Sequence, residues 1–427
     1  MKKRRARRSR RGPVIAVVAF ALIAVVIFAL IAGSSGGSFD AYSVVKAEGP
    51  KATVVITPDG DVSYMDAFVG RSVPSLIWGA DNQNRLCSPV SAYMELSLLS
   101  EITGGETRAQ ALALLGAEDI ETVRDRADTL YSRIYADTSG GMCLPANSLW
   151  LDERVSYNED TLKTLARSYH ASSFSGKMKN AAYRKALNAW IKKNTDGILK
   201  DGASNPSFNE GMAAVMISTL YFDDEWTQKF DKADTGPGVF HAQGGDVSCD
   251  FMKNWYYSGT YYELAQFTAI SQKYKNGCTM WYILPREGIT PESLLADAQL
   301  KDFLTPRKQG YEHREAGVVL RVPKFDVTYC SDLKRSLPEL GVGLAFSPEY
   351  ADYSPLGAAA GTTIDNIQSE IRIAIDENGV LTDSAKAAEA SQASVDGDFT
   401  LNRPFMFLIS SPDDLPLFVG IINDPTR

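Results

Sequence analysis

Apolar positions recur with a helical period through the first half of the chain. Ser88 is a residue type that caps helices and Pro89 suits the first helical turn, so the pair predicts where one helix begins. Gly197 likewise predicts where a later helix ends. The predicted helices cover residues 88–99, 107–115, 119–135 and 185–193.

Short runs with strand character dominate the second half. They are rich in β-branched and aromatic residues and are bounded by turn residues. The predicted strands cover residues 216–222, 279–284, 318–322, 370–375, 405–409 and 417–422, and a β-like run at 53–57 precedes the helices. Helices in one half and strands in the other indicate an α+β fold.

One long segment between two predicted strands has neither pattern. Residues 380–398 contain no aromatic residue, and Leu381 is their one large aliphatic side chain. Ala, Ser, Asp and Glu make up much of the rest. A loop of this length inside a compact domain is usually functional or disordered, so this segment is the first candidate for a functional site.

The composition supports a large folded domain and excludes one class of partner. The chain has 427 residues, of which 44% are hydrophobic and 22% charged, which is ordinary for a globular protein with a substantial core. The net charge is −8 although residues 2–11 are strongly basic, so the remainder of the chain is more acidic still. An acidic surface does not suit a phosphate backbone, and no nucleic acid is expected as a partner.

The N-terminus predicts a membrane anchor. The basic residues 2–11 precede an uncharged apolar run over residues 14–32, which is long enough to cross a bilayer with its basic side in the cytoplasm. We therefore expect a single-pass cell-membrane protein of bacterial type whose main domain is extracytoplasmic. A cleaved signal peptide is the alternative and predicts secretion. The predicted organisation is a cytoplasmic basic segment 1–13, a transmembrane signal-anchor 14–32, a linker with a short β-like run 33–60 and a folded domain 61–427.

The residue types that most enzymes and metal sites need are sparse. The histidines are His170, His241 and His313, which are far apart in sequence and in no ligand-spaced motif. The five cysteines show no Cys-x-x-Cys spacing, so neither a zinc site nor a dense disulfide framework is indicated. We expect no catalytic residues, no metal and no cofactor, and therefore no enzyme.

Several motifs occur in the order in which the serpin family has them, and together they cover nearly the whole predicted domain. Each motif is weak alone, but their shared order makes the resemblance specific. The motifs are Asn84-x-x-x-Ser88-Pro89-x-Ser91, Ala146-Asn147-Ser148-Leu149-Trp150, Asn188-Ala189-Trp190-Ile191, Tyr221-Phe222-x-x-x-Trp226, Leu320-x-Val322-Pro323-Lys324-Phe325, Asn402-Arg403-Pro404-Phe405 and Phe418-Val419-Gly420.

The resemblance implies a serpin fold and a serpin's function. The fold would have helices mainly in its N-terminal half, a large central β-sheet A, two smaller sheets and an exposed reactive-centre loop over residues 379–402. The protein would be a monomer that inhibits a serine-type protease of elastase- or subtilisin-like specificity as a suicide substrate. Cleavage of the loop would be followed by its insertion into sheet A. Counting in the family's way places the reactive-site bond between Ala393 and Ser394.

The hinge of this loop fits the family's mechanism only in part. The resemblance assigns the hinge to Glu377, Gly379, Val380, Thr382, Ser384 and Lys386. Alternate residues of an inserted strand point into the protein, and Lys386 would be among them, where an unpaired ammonium group is costly. Leu381 and Asp383 also depart from the family's pattern. The alternative is a non-inhibitory surface binding protein with the serpin fold, whose loop is cleaved without trapping the protease.

Two further regions are assigned by the resemblance. Trp226 and Lys324 belong to the region that the family calls the breach, where Lys324 is expected to form an ion pair with Glu377 that holds the loop out of the sheet. The shutter, which controls the opening of sheet A, comprises Ser88, Ser91, Ser218 and Ser369. The family has an asparagine and a histidine at the positions of Ser218 and Ser369, whose hydroxyls are expected to bond to each other or to hold a water.

Overall fold

The computed structural model describes residues 39–49, 61–77, 79, 82–138, 141–197, 199, 213–380 and 397–427. Some of the predictions concern residues outside these ranges. They are the signal-anchor 14–32, the β-like run 53–57, and the loop residues Thr382, Ser384, Lys386, Ala393 and Ser394.

Nine α-helices lie in the described residues, most of them in the N-terminal half. Capping side chains mark several of their starts: Ser88 Oγ accepts the N–H of Ser91 at 3.1 Å, and Asp119 Oδ1 accepts the N–H of Thr122 at 2.8 Å. In chain order the helices are α1 Ser63–Leu76, α2 Pro89–Ile102, α3 Gly105–Leu115, α4 Ile120–Ile134, α5 Glu159–Ser168, α6 Ala181–Asn194, α7 Pro291–Leu294, α8 Ala298–Phe303 and α9 Leu333–Glu339.

The strands of the described residues are concentrated after α6. In chain order they are β1 Ser43–Val45, β2 Arg85–Cys87, β3 Ala136–Thr138, β4 Gly141–Asp152, β5 Ala171–Gly176, β6 Ala214–Glu225, β7 Gly236–Ala242, β8 Gly245–Glu263, β9 Phe267–Lys273, β10 Thr279–Pro285, β11 His313–Pro323, β12 Phe325–Asp332, β13 Ile364–Ile375, β14 Gly379–Val380, β15 Gly397–Thr400, β16 Phe405–Ser410 and β17 Pro416–Ile422.

The strands form two sheets in the part of the chain that the structure describes. Sheet A has the order β1-β5-β4-β6-β14-β13-β12, and β3 pairs with β4. The second sheet has the order β15-β11-β8-β9-β10-β16-β17-β2, and β7 pairs with β8. Two smaller sheets were expected beside sheet A, but the described residues form only one. The long strand β8 pairs with β7, β11 and β9, and it thereby joins these strands into a single sheet.

Helix α2 lies at the centre of the molecule. All of its residues are buried, which agrees with an apolar pattern that runs round the whole helix. It packs against β6 and β13 of sheet A and against β17 of the second sheet. The polar side chains of α2, Glu95 among them, are therefore removed from water.

Helix α6 covers the opposite face of sheet A. Its Trp190 packs with Trp150 of β4 and with Val215 and Ile217 of β6 in a second hydrophobic cluster. Met216, which lies between the two β6 residues, belongs to the main core instead. This alternation shows that sheet A is buried on both of its faces.

Residues 39–48, the N-terminal strap, cross the edge of sheet A. Within the strap, β1 pairs antiparallel with β5. Phe39 is 6% exposed, and its ring meets that of Phe174 in β5 edge-on with 6.1 Å between the centroids. Tyr42 contacts Tyr183 of α6 with 4.9 Å between the ring centroids. The strap therefore ties the edge strand of sheet A to the helix that covers it.

The boundaries of α6 differ from the predicted 185–193. The helix begins at Ala181 because Asn180 Oδ1 accepts the N–H of Ala182 at 2.8 Å. At the other end, Asp196 adopts a left-handed conformation with φ of 47°, one residue before the predicted cap Gly197. The N–H of Gly197 then bonds to the carbonyl of Lys192 at 2.8 Å and closes the helix.

The predicted localisation is corrected. Among the residues that the structure describes, no helix is both long and apolar enough to cross a membrane. This finding overturns the assignment of a single-pass membrane protein. Residues 14–32, on which the signal-anchor prediction rests, lie outside the described part of the chain.

We expect the substitution Phe39→Ala to lower the free energy of unfolding by about 3 kcal/mol, because it removes a buried aromatic ring between β5 and α6. Urea unfolding of the purified chain measures this loss. Lys46→Ala is the matched control within the strap, since its ion pair with Asp40 is exposed and such pairs contribute about 0–1 kcal/mol. Equal stability of the two variants would show that the strap does not anchor the sheet.

Candidate functional site

The centre of sheet A contains a line of contact, here called the seam, where β6 and β13 pair directly. The pairing is parallel and runs from Ile364 opposite Ala214 to Glu370 opposite Thr219. Above it, β14 lies between the same two strands, with Val380 paired to both Ile375 and Asp224. The chain has thus turned back after β13 and started a new strand, while the lower part of the seam stays closed.

At Gly379, the neighbouring backbone of β6 leaves no room for a side chain in the hinge. Gly379 has a φ of 150°, and a Cβ atom added there would lie 2.1 Å from the carbonyl oxygen of Asp224. Asp376 Oδ1 stabilises the turn by accepting the N–H groups of Asn378 at 2.7 Å and of Gly379 at 3.2 Å. Val380 follows and is fully buried. Glycine is therefore required where the hinge enters the sheet.

Trp226 holds this turn from the side of β6. Its ring is buried and stacks on that of Tyr274 with 4.3 Å between the centroids. Its Nε1 donates to the carbonyl of Asp376 at 3.0 Å, and its backbone N–H donates to the carbonyl of Asn378 at 2.8 Å. Trp226 therefore fixes the turn between β13 and β14 at two points, once through its indole and once through its backbone.

The structure brings Lys324 and Glu377 together at the same turn. Lys324 Nζ lies 3.0 Å and 3.2 Å from the two carboxylate oxygens of Glu377. Burial opposes ionisation of Glu377, but hydrogen bonds from its own backbone N–H and from Lys324 outweigh burial and lower its pKa. Because the Lys324 side chain is 38% exposed, the pair contributes about 1 kcal/mol.

The shutter serines lie on the seam but bond away from each other. Ser218 and Ser369 are directly opposite in the parallel pairing of β6 and β13. Ser218 Oγ donates to Asn147 Oδ1 at 2.8 Å, and Ser369 Oγ donates to Glu95 Oε1 at 2.7 Å. The expected bond between the two serine hydroxyls is therefore wrong, since each hydroxyl has another partner.

The remaining two shutter serines have a different role. Ser88 and Ser91 are both buried at the start of α2, where Ser88 Oγ caps the helix. Their contact with each other fixes the N-terminus of the helix on which sheet A rests. The structure thus separates the four assigned serines into a seam pair and a helix-cap pair.

Glu95 is a site residue that the sequence reasoning missed. It lies on α2 beneath the seam, it is fully buried, and its carboxyl accepts the hydroxyl of Ser369. Burial raises its pKa to about 8, with a smaller contribution in the same direction from Asp332. The signal was available, because Met94 and Leu96 flank this glutamate and Leu98 and Leu99 follow one helical turn later, so its surroundings on the helix are largely apolar.

Asp224 places a second buried carboxyl at the upper end of the seam. It is 1% exposed and its backbone pairs with Val380. Burial raises its pKa to about 7, although backbone N–H groups such as that of Asn276 oppose the rise. Both buried acidic groups therefore lie towards the upper end of the seam, because Glu95 contacts Ser369 one residue from the last direct pair and Asp224 lies above that pair.

The distal side of the loop is attached to the second sheet. β15, which resumes the described chain at Gly397, pairs in parallel with β11. Arg321 of β11 donates to Asp398 at 2.7 Å and so fastens this strand. The loop is consequently anchored in sheet A at one end and in the second sheet at the other. In the described residues, no cluster of His, Cys, Asp and Glu is arranged to hold a metal ion.

Comparisons with known proteins agree with this arrangement. A family model described as Serpin (serine protease inhibitor) matches residues 66–425. Serpin-Z2B of Oryza sativa subsp. japonica is 26% identical over 409 residues, which cover 86% of this chain and 98% of that relative. Alpha-1-antiproteinase S of Cavia porcellus is 26% identical over 359 residues, which cover 82% of this chain and 86% of that relative. These relatives are from a plant and an animal, so a bacterial type stays a prediction.

Solved structures show the same fold. The native state of tengpin, a thermophilic serpin, has a TM-score of 0.78 at 24% identity and covers 89% of this chain and 97% of its own. Human thyroxine-binding globulin, crystallised as a complex with thyroxine, has a TM-score of 0.77 at 21% identity and covers 85% of this chain and 99% of its own. The predicted α+β serpin fold is confirmed.

We expect Glu95→Gln to make stability less sensitive to pH. The folded-state pKa of Glu95, about 8, lies above the ordinary glutamate value of 4.5, so the stability that its proton contributes is complete below 4.5 and is lost as the pH rises towards 8. The wild-type chain should lose at most about 1.4 kcal/mol per pH unit relative to the variant over this range.

Urea unfolding at roughly pH 5 to 8, the window between the two pKa values, measures the difference. Glu106→Gln is the matched control, because Glu106 is exposed at the start of the neighbouring helix α3. If the stability of the Glu95→Gln variant changed with pH in parallel with that of the wild type, Glu95 would carry its charge in the folded protein. The interpretation of Glu95 as a buried neutral acid would then be wrong.

Proposed function

Because this chain belongs to the serpin family, we propose that it inhibits a serine protease of elastase- or subtilisin-like specificity by acting as a suicide substrate. The observation that carries the proposal is the state of the seam. Gly379 and Val380 already form a short strand at its upper end, while β6 and β13 pair directly below them. The loop has therefore begun a strand between β6 and β13, and this strand can be extended only if those two strands separate.

The chemistry belongs to the protease, and this chain supplies the bond that is cut. The serine of the protease would attack the carbonyl carbon of Ala393, and Ser394 would leave with the new amino terminus. The small side chain of Ala393 suits a shallow specificity pocket. The loop would then remain joined to the protease through an ester at its free end, which removes its distal anchor on β15.

Insertion of the loop would replace one strand pairing, that between β6 and β13, with two pairings. The seam now has a single parallel pairing between β6 and β13. A loop strand that continues β14 would pair antiparallel with both neighbours, as Val380 already does with Asp224 and Ile375. Antiparallel ladders are slightly more stable per residue, and the new strand adds hydrogen bonds and buried side chains. This gain would drive the attached protease across the molecule.

The register of Val380 also gives Lys386 a partner. If both pairings of Val380 continue unchanged, Lys386 comes to lie between Ser218 on β6 and Ser369 on β13. Ser369 faces the carboxyl of Glu95, to which it donates at 2.7 Å. The lysine that is unfavourable as a lone buried cation would therefore meet a buried carboxyl group, which compensates much of its cost.

This pairing couples insertion to a proton. While the seam is closed, burial favours the neutral form of Glu95. An ammonium group beside it favours the carboxylate, so Glu95 would release its proton as Lys386 arrives. Lys386 in the hinge and the two serines of the shutter both depart from the family's pattern. These departures would then be linked, because the small serines leave room for the lysine above Glu95.

Binding without inhibition is the second candidate function. Leu381 and Asp383, which depart from the family's hinge pattern, favour it. The likeness to thyroxine-binding globulin, whose structure holds a small hormone, also supports it. In this case the loop would be cut and the protease released.

Incubation with a panel of elastase-like and subtilisin-like proteases tests the proposal. We expect a complex that survives denaturing electrophoresis, because the ester link to the loop persists after insertion. We also expect the cleaved chain to melt at a clearly higher temperature than the intact chain, since sheet A has gained a strand. Clean cleavage without a complex would favour the binding alternative, and an unchanged melting temperature would exclude insertion.

A double-substitution cycle tests the proposed contact between Lys386 and Glu95. Lys386→Ala removes the need for a buried partner, so the further change Glu95→Gln should then leave the melting temperature of the cleaved form nearly unaffected. In the wild-type loop, Glu95→Gln should destabilise the cleaved form by about 3–5 kcal/mol relative to its effect on the intact form, because it leaves the lysine unpaired. Additive effects of the two substitutions would rule the contact out.

A further inference from the structure

His170 lies at a backbone position that usually belongs to glycine. It follows helix α5 and precedes β5, and its φ of 51° is left-handed. A residue in this conformation often ends a helix, but any side chain there strains the backbone. The ring of His170 is nevertheless inside the protein, since its side chain is 1% exposed. A strained backbone that carries a buried polar ring points to a role for that ring.

Both ring nitrogens of His170 have oxygen partners from other elements. Nδ1 lies 2.7 Å from the carbonyl oxygen of Glu48, the last residue of the N-terminal strap. Nε2 lies 2.8 Å from Oδ1 of Asp128 on α4. A carbonyl oxygen and an ionised carboxylate can only accept hydrogen bonds, so both nitrogens have to donate. The imidazolium form of the ring is the one that carries both protons.

The surroundings of the ring suit a cation. The ring of His170 stacks on that of Tyr131 with 3.8 Å between the centroids, and the face of an aromatic ring attracts positive charge. Asp128 forms the direct ion pair. The other titratable side chains around the same cavity, among the described residues, are Tyr135, Asp137, Lys193, Asp196 and Tyr221. Three carboxylates therefore face a single ammonium group there, and this compensates the burial of a charged imidazole.

Loss of one proton from the ring breaks the bond to the strap. The neutral ring has a single N–H, and this proton stays on Nε2 because a hydrogen bond to a carboxylate is stronger than one to a neutral carbonyl. The proton of Nδ1 passes to water. Nδ1 then presents a lone pair to the carbonyl oxygen of Glu48, and two acceptors at 2.7 Å repel each other.

The end of the strap near Glu48 is held by short contacts on an exposed surface. Ala47 and Glu48 are both exposed. The N–H of Ala47 donates to Ser172 Oγ at 3.0 Å, and the N–H of Glu48 donates to the carbonyl of Ala166 at 3.0 Å. The aromatic anchor of the strap, Phe39, is at its other end. The charge-assisted bond from His170 therefore supplies much of what holds this end of the strap.

We propose that His170 is a proton-dependent clasp for the N-terminal strap. The protonated ring bridges Asp128 of α4 and Glu48 of the strap, and the neutral ring keeps Asp128 and releases Glu48. The clasp is closed at acidic pH and opens as the pH rises through the range in which histidines titrate, about pH 5 to 8. Opening detaches the strap from β5 at this end and leaves it attached at Phe39. The inference does not depend on the proposed inhibition of proteases.

Hydrogen exchange of the full chain, read by mass spectrometry between about pH 5.5 and 8, tests the clasp. Each exchange rate is divided by the intrinsic rate at the same pH, which gives a protection factor. For the amides of residues 43–48 we expect this factor to fall roughly 10-fold over the range, the effect of losing one charge-assisted hydrogen bond. The amides of residues 279–284 in β10 are the internal reference and should keep their protection.

The substitution Asp128→Asn separates the clasp from a purely structural role of the histidine. An asparagine amide can donate to Nε2, so the neutral ring can carry its one proton on Nδ1 and keep the bond to Glu48. We therefore expect the strap of this variant to stay protected up to about pH 8. Asp128 is 37% exposed, so the change leaves the core intact. His170→Gln should instead give low protection at every pH, because one amide nitrogen replaces two nitrogens on opposite sides of a ring.

His241→Gln is the matched control, because His241 also contacts a carboxylate, that of Asp246 at 2.8 Å, but is exposed and distant from the strap. Its strap should respond to pH as the wild type does. A pH-dependent loss of protection that is cancelled by Asp128→Asn supports the clasp. An equal loss in the wild type and in Asp128→Asn overturns it, because another group would then open the strap. Protection of the wild-type strap that is constant across the range, or full protection in His170→Gln, overturns it as well.

Discussion

Val380 lies between β6 and β13, in a gap that closes a few residues below it. Its backbone is paired to Asp224 and Ile375, and a few residues further down those two strands pair with each other. A strand has therefore been started in a sheet that has no space for it to continue. The arrangement persists because parting β6 from β13 breaks hydrogen bonds before new ones form. This order of costs and gains is a kinetic barrier, and the function proposed for the chain depends on its height.

The elements around the seam act on that barrier from three sides. Trp226 and the ion pair of Lys324 with Glu377 hold the turn at the top of the seam. Glu95 lies beneath the seam on α2, a helix whose residues are all buried, and bonds there to Ser369 of β13. Helix α6 covers the outer face. Opening the sheet therefore requires rearrangement in a region that is packed on both faces and at its upper end.

Sequence patterns predicted the fold well. Caps such as Ser88 and Asp119 mark helix starts by a local interaction, and those predictions agree closely with the structure. Helix α1 was missed because Gly70 and Pro74 interrupt its pattern. The long strand β8 was missed because its first part, residues 245–250, is not buried and carries few apolar residues in alternation.

The side-chain contacts of the site were harder to predict. Gly379 and the pairing of Lys324 with Glu377 follow from motifs that are contiguous in sequence. The partners of Ser218 and Ser369 do not, because Asn147 and Glu95 come from different elements and meet these serines only after sheet A has assembled on α2. The position proposed for Lys386 after insertion, opposite this pair, depends on the register of β14, and no sequence pattern contains a register between distant strands.

The N-terminal strap has a consequence for the behaviour of many copies of this chain together. A sheet whose middle can open exposes unpaired backbone, and its outer strand offers more of the same to any neighbouring molecule. β1 occupies the outer side of β5, and Phe39 seals that position against α6. A neighbouring molecule therefore cannot pair with β5, and the edge that remains on this side is the three-residue strand β1, which offers little backbone to another copy of the chain.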